Sequence, residues 1–242
     1  MSRPFEDITL YAETRYKNNT PEYWEEVALQ NYISDLYIIK MHGYKPPNTT
    51  RVSIVPSYYK IWNRTWKNGS LISIAPEFIY EKYLTLNKKE KYNYVLDIIH
   101  TSMIQLSKEY KWETSIFERA YKEVLESNFK FKIDYPSKMS RDKKKSAWLC
   151  IEKTEMLTSL YVIFSIDEQR KTFKLFDKRN WWWYDSIYKL VKTGKWLDND
   201  RFGICYKPFE FMVWCSIKDH KVTFEKAGLL YEQMNLDDLF KF

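Results

Sequence analysis

The chain has 242 residues, a formal net charge of +7, and 45% hydrophobic and 18% aromatic residues. That apolar share fills an ordinary core and argues against disorder. With only 5 Gly and 3 Cys, the composition speaks against phosphate-cradling glycine loops and a disulfide framework, and the length lies between one large domain and two small ones.

The first third mixes short elements with turn signals. Ile8–Tyr11 reads as a strand. Thr20-Pro21 has the form of an N-cap followed by proline at the first helical position, predicting a helix from Pro21 to about Asn31 with Trp24, Val27 and Ala28 on its inner face. Leu36–Met41 is apolar and β-branched in its middle and reads as a strand ended by Gly43. Lys45-Pro46-Pro47-Asn48 is a rigid loop. Arg51–Val55 and Leu71–Ala75 read as strands stopped by Pro56 and Pro76, with a turn at Lys67-Asn68-Gly69-Ser70.

The clearest helices follow. Asn87-Lys88-Lys89-Glu90 has the form of a capping box, and Tyr92, Val95, Leu96, Ile99, Met103, Leu106 and Tyr110 recur at steps of three and four. Ser115-Ile116-Phe117-Glu118 is a second such box, leading Phe117, Ala120, Tyr121, Val124 and Leu125. The short Lys111–Thr114 link joins the two into an αα-hairpin over about residues 88–128.

After a basic loop, Lys138–Lys145, the pattern turns strand-like. Ser146–Ile151, Leu160–Ile166, Lys171–Phe176, Trp181–Tyr184, Ile204–Tyr206, Glu210–Ile217 and Val222–Glu225 read as strands, with turns at Asp167–Arg170 and Lys218–Lys221. Tyr188–Lys192 fits either strand or helix, and Leu229–Phe242 a terminal helix or an arm. Consecutive short strands without intervening helices predict an antiparallel sheet. The fold class expected is α+β: an antiparallel sheet over mainly residues 146–226 packed with the helix hairpin, and mixed short strands and a helix in the N-terminal third. One compact unit is expected, with lobes 1–135 and 146–242.

No familiar catalytic spacing stands out. His42, His100 and His220 lie far apart and outside any zinc motif, and the nucleophile-elbow and nucleotide-loop patterns are missing. No catalytic residue, metal ligand or cofactor is therefore assigned. Asp97 and His100, three apart on the strong helix, could form an acid/base pair; a helix-surface pair beside the core stripe is the plainer alternative. Cys150, between Leu149 and Ile151, reads as an inert core thiol, as do Cys205 and Cys215. Asp198 and Asp200 lack a calcium-loop pattern and read as solvated.

Residues 181–184, Trp-Trp-Trp-Tyr, form either core or binding surface. From Glu168 to Lys195 eight Lys/Arg stand against three Asp/Glu, interleaved with Phe173, Phe176, the tryptophans, Tyr184 and Tyr188. Three readings stay open. Aromatics in and lysines out describe a plain sheet; an exposed aromatic face binds protein; a basic aromatic face stacks on unpaired bases. Trp182, Tyr184, Lys189 and Lys192 are the partner-binding candidates.

One segment carries a resemblance. Tyr94-Val95-Leu96-Asp97-Ile98-Ile99-His100 runs on to Leu106-Ser107-Lys108-Glu109-Tyr110-Lys111-Trp112, then Phe117-Glu118-Arg119-Ala120-Tyr121 and Val124-Leu125-Glu126-Ser127-Asn128-Phe129. A helix pair of this kind before an aromatic-rich sheet resembles small bacterial proteins of the polymorphic-toxin immunity type. The resemblance implies a non-enzymatic protein that binds a cognate toxin and occludes it. A charge of +7 suits a toxin with an acidic surface and speaks against a nuclease target, whose inhibitors tend to be acidic. Nucleic-acid binding and an enzyme with a dispersed site are the alternatives. The N-terminus holds Glu6 and Asp7 and no apolar run, and no stretch reaches the roughly 18 apolar residues of a membrane helix, so a cytoplasmic protein without a membrane partner is expected.

Overall fold

The structure, a computed structural model, describes residues 5, 7–11, 20–56, 64–180, 187–206 and 211–226. The chain divides into two compact units, Met1–Lys130 and Phe131–Phe242. Both helices and antiparallel sheet are present, so the α+β class holds.

The first unit holds β1 (Asp7–Leu10), α1 (Pro21–Lys40), β2 (Arg51–Ile54), β3 (Arg64–Asn68), β4 (Leu71–Ala75), α2 (Tyr80–Thr85), α3 (Lys88–Glu109) and α4 (Thr114–Glu126). Its sheet has the order β1-β2-β4-β3, with β1, β2 and β4 parallel and β3 antiparallel to β4. A parallel pair needs a crossover, and α1 supplies it between β1 and β2. Ile8, Leu10, Val52, Ile54, Ile72 and Ile74 occupy one face of the three parallel strands and are buried. α1 packs on β1 and on α3 and α4, which pack on each other. Each such fully buried aliphatic side chain contributes roughly 1.5–3 kcal/mol.

The helix starts follow local chemistry. Thr20 Oγ1 accepts from the Tyr23 N–H at 3.2 Å, with Pro21 at the first position. At α3 the capping box forms in both directions: the Glu90 N–H donates to Asn87 Oδ1 at 3.0 Å and the Asn87 N–H to Glu90 Oε2 at 2.8 Å. The second box does not form. α4 begins two residues earlier, with Glu113 as N-cap and no side-chain cap bond. Thr114 instead shares a 2.9 Å hydroxyl contact with Ser107, tying the hairpin link to α3. The strand expected at Leu36–Met41 is helix, because α1 runs on to Lys40. Ile33, Leu36 and Tyr37 extend the buried stripe of Ala28 and Leu29 at helical spacing, and that packing overrides the β-branched pair Ile38-Ile39.

The second unit holds β5 (Phe131–Asp134), β6 (Lys138–Met139), β7 (Lys145–Lys153), β8 (Leu157–Ile166), β9 (Gln169–Arg179), α5 (Ile187–Val191), β10 (Lys195–Trp196), β11 (Arg201–Tyr206), β12 (Phe211–Ser216) and β13 (Val222–Lys226). The single sheet expected over residues 146–226 is two antiparallel sheets, β5-β7-β8-β9 with β6 beside β7, and β10-β11-β12-β13. One core joins them: Leu149 and Ile151, Leu160, Val162 and Phe164, and Leu175 and Phe176 from the first sheet meet Phe202, Ile204, Phe211 and Val213 from the second, with Ile187 and Leu190 of α5. The segment left open between strand and helix is thus the short helix α5. Trp181–Tyr184 and Leu229–Phe242 lie outside the described residues.

β8 and β9 join through a two-residue turn, Asp167-Glu168, with φ of 47° and 65°. Positive φ at both positions matches the right-handed twist of the flanking strands and is strained for residues with a Cβ.

Candidate partner-binding surface

Strand alternation decides what the five-stranded sheet shows on its face away from the core. On β7 the core takes Leu149 and Ile151, so Ser146, Trp148, Cys150 and Glu152 point the other way. On β8 the outward residues are Ser159, Tyr161, Ile163 and Ser165. On β9 they are Arg170, Thr172 and Lys174, and, past a bulge beside Leu160/Tyr161, Asp177. Register aligns Trp148, Ile163 and Thr172 in one row and Asp134, Cys150, Tyr161 and Lys174 in the next.

Aromatic rings and cations meet on this face. The Arg170 guanidinium lies 5.6 Å from the Trp148 ring centre, and Lys174 Nζ 5.6 Å from that of Tyr161. Both rings remain partly exposed. Such a stack is worth about 0.5–1 kcal/mol at an exposed site and holds the ring in one orientation. The Trp148 Nε1–H donates to Asp134 Oδ1 at 3.1 Å, fixing the indole from its other edge. Lys132 pairs with Glu152 at 3.3 Å and Lys174 with Asp177 at 3.0 Å. Burial works against ionisation of Asp177, but the hydrogen bond from Ser159 and the Lys174 ammonium outweigh it and hold the carboxyl below its usual range. The cations here are largely matched by acids on the same face.

Cys150 sits within this face yet is shielded from solvent. Burial pushes its thiol up to about 12, and the Asp134 carboxylate adds to that. Burial likewise pushes Cys215 up to about 11. Both stay protonated near neutral pH, which suits packing rather than nucleophilic chemistry.

Of the residues chosen from the sequence, Trp182 and Tyr184 lie outside the described residues. Lys189 on α5 and Lys192 in the turn after it are exposed. Tyr188, beside them, packs against the core, with Lys153 Nζ 4.7 Å from its ring centre. Along β9 the aromatics Phe173 and Phe176 turn inward and Lys174 outward, as plain alternation expects, whereas Lys171 is exposed although it shares the side of Phe173. Lys178 is buried at 2% exposure, with Nζ donating to the Arg179 carbonyl at 2.9 Å. Trp148 was legible only as a neighbour of Cys150. The signal that reveals it is the period of two along β7.

Asp97 and His100 do not bond to each other directly. Asp97 Oδ1 accepts from the Tyr121 hydroxyl at 2.7 Å, and the Tyr121 ring stacks on His100 at 4.2 Å. The Tyr37 hydroxyl donates to the Phe117 carbonyl at 3.1 Å, so its oxygen is left to accept from Nδ1–H of His100, also at 3.1 Å. Burial lowers the His100 pKa against the pull of Asp97 and Glu118. The bond to Asp97, with burial, raises Tyr121 to about 12. This network ties α1, α3 and α4 together.

The remaining polar candidates are held by local partners. Asp198 accepts from the Arg201 guanidinium at 2.6 Å and from the N–H groups of Asp200 and Arg201, while Asp200 receives Lys145 Nζ at 2.5 Å. His42 Nε2 lies 2.9 Å from Glu123. Among the described residues, no three His, Cys, Asp or Glu side chains are grouped to hold a metal ion, and no helix is long and apolar enough to cross a membrane.

Comparison of the chain with family models, curated proteins and solved structures finds no match.

Proposed function

We propose that the chain is a non-enzymatic binding protein that works by presenting a rigid sheet face to a protein partner. The observation that carries this reading is the outer face of β5–β9, where Trp148 and Tyr161 are partly exposed and each is stacked against a cation. Pre-oriented Trp, Tyr and Arg are the residues that anchor protein interfaces, because they bury large area and lose little side-chain freedom. The pairing of Lys132 with Glu152 and of Lys174 with Asp177 gives the face a mixed charge, which suits a protein surface better than a run of phosphates. The helix-hairpin resemblance supports a finer version, an immunity protein whose partner is a toxin encoded beside it.

The test is co-expression and co-purification with the product of the neighbouring gene. A one-to-one complex that neutralises that product, and that is weakened by Trp148→Ala, supports the proposal. Neutralisation unaffected by Trp148→Ala removes this face from it, and tight salt-sensitive binding of single-stranded nucleic acid in place of protein replaces it.

A further inference from the structure

The edge of the five-stranded sheet extends the reading above. β9 is 11 residues long, and among the described residues β8 is the only strand paired with it. Its first half, Gln169–Lys174, is exposed except for Phe173, which is half-buried.

The turn fixes which backbone groups point where. In a two-residue hairpin the residues flanking the turn exchange both hydrogen bonds, and such pairs recur at every second position. Gln169 faces Ile166, Lys171 faces Phe164 and Phe173 faces Val162. Those three β9 residues spend their N–H and C=O groups on β8. Arg170, Thr172 and Lys174 then aim theirs away from the sheet, and their side chains lie on the Trp148–Tyr161 face. The strand therefore offers three outward backbone pairs beside the aromatic surface.

Charge selects among the chains able to use that edge. Arg170, Lys171 and Lys174 are exposed within five positions, with no acidic residue between them, while Lys174 also pairs with Asp177 three positions on. A second copy adding edge to edge brings these cations against their own kind, which is how sheets block self-association. An extended acidic segment meets opposite charge at the same positions. We infer that β9 is a docking edge onto which a protein partner adds an acidic extended segment as a further strand, antiparallel or parallel to Arg170–Lys174. The inference rests on the proposed binding function and names how the partner engages it. Main-chain bonds supply affinity in this mode, and the alternate side chains supply selection.

The probe is a synthetic peptide of about ten residues alternating valine and glutamate, titrated into the full chain beside a valine–lysine peptide of equal length. The expected result is binding of the acidic peptide at least tenfold tighter than the basic one, with slowed hydrogen exchange at the amides of Arg170, Thr172 and Lys174 and little change at Gln169 and Lys171. Thr172→Pro removes one outward N–H and leaves the β8 pairing intact, so it should lower affinity at least tenfold. If that variant fails to fold, Lys171→Glu with Lys174→Glu should reverse the peptide preference. Equal binding of both peptides, or protection elsewhere with β9 amides unchanged, overturns the inference. If β9 fails while Trp148→Ala still weakens the natural complex, strand addition is refuted and the face reading stands; if neither affects that complex, both fall.

Discussion

Gly203 gives the sharpest check on the packing of the second unit. It lies on β11 opposite Trp214 of β12, under one shared core. A Cβ added there would stand 2.0 Å from the Val213 carbonyl oxygen, 2.4 Å from Trp214 Cα and 2.7 Å from Trp214 Cβ. The first two are backbone atoms of a paired strand, so no rotamer change relieves the overlap. Gly203→Ala must push β11 from β12 or tilt one of them, and overpacking of this kind costs typically 1–3 kcal/mol and more where the backbone has to move. We expect about 3 kcal/mol or more. With a urea dependence of roughly 2 kcal/mol per molar, the unfolding midpoint falls by about 1.5 M. Gly194 is the internal control. There the nearest atom is Leu149 Cδ1 at 2.6 Å, the end of a side chain that can rotate away, so Gly194→Ala should cost about 1 kcal/mol. Urea unfolding followed by tryptophan fluorescence measures both. A Gly203→Ala shift below about 0.3 M, or one smaller than that of Gly194→Ala, refutes the close approach of β11 and β12.

Further outcomes follow from single groups. Glu168, at φ 65°, holds a conformation that costs a residue with a Cβ about 1–2 kcal/mol; Glu168→Gly should raise stability by roughly 0.5–1 kcal/mol after the glycine's extra unfolded-state entropy, and a lower midpoint in urea would contradict the turn geometry. Asn87→Ala removes the side-chain half of the α3 capping box, the Glu90 N–H to Asn87 Oδ1 bond, while the residue 87 N–H can still donate to Glu90, and should cost about 1 kcal/mol, read as a lowered thermal midpoint. Burial raises the Asp7 pKa to about 6 in the folded chain from 3.8, against the pull of Thr9 and Arg51. The folded state then holds this proton more tightly than the unfolded one, so Asp7 reduces stability progressively as pH rises from about 4 to 6, by roughly 2–3 kcal/mol in all. Denaturation of Asp7→Asn across that range should lack this fall, and an unchanged pH profile would count against the burial of Asp7. Cys150 and Cys215 are buried and Cys205 partly exposed, so a thiol reagent should modify one cysteine fast in the native protein and the other two only on unfolding.

Local signals were the legible part of this fold. The α3 stripe and its capping box, the proline start of α1 and most strand centres of the second unit stand in the sequence because a few neighbouring residues determine them. Where longer-range packing decides, the sequence misleads. Tyr37-Ile38-Ile39 has strand character, yet Tyr37 is buried as part of α1 because Leu29, Ile33 and Leu36 already set a helical stripe. The division of residues 146–226 into two sheets depends on which distant strands pair, and no short window of sequence records that. The proposed face was only partly legible. The Glu168–Lys195 stretch includes β9, but the ring beside Arg170 belongs to Trp148, 22 positions away in sequence and two strands across. Asp97 and His100 have the spacing of a pair, but Tyr121, from the next helix, takes the Asp97 carboxylate.

The most direct measurement is the affinity of the intact chain for the protein encoded beside it, taken by calorimetry for the wild type, Trp148→Ala and Tyr161→Ala. The account expects each variant to bind at least tenfold more weakly, about 1.4 kcal/mol, while keeping the wild-type unfolding midpoint within 0.5 M urea or so. Affinities within twofold of the wild type for both variants would contradict it.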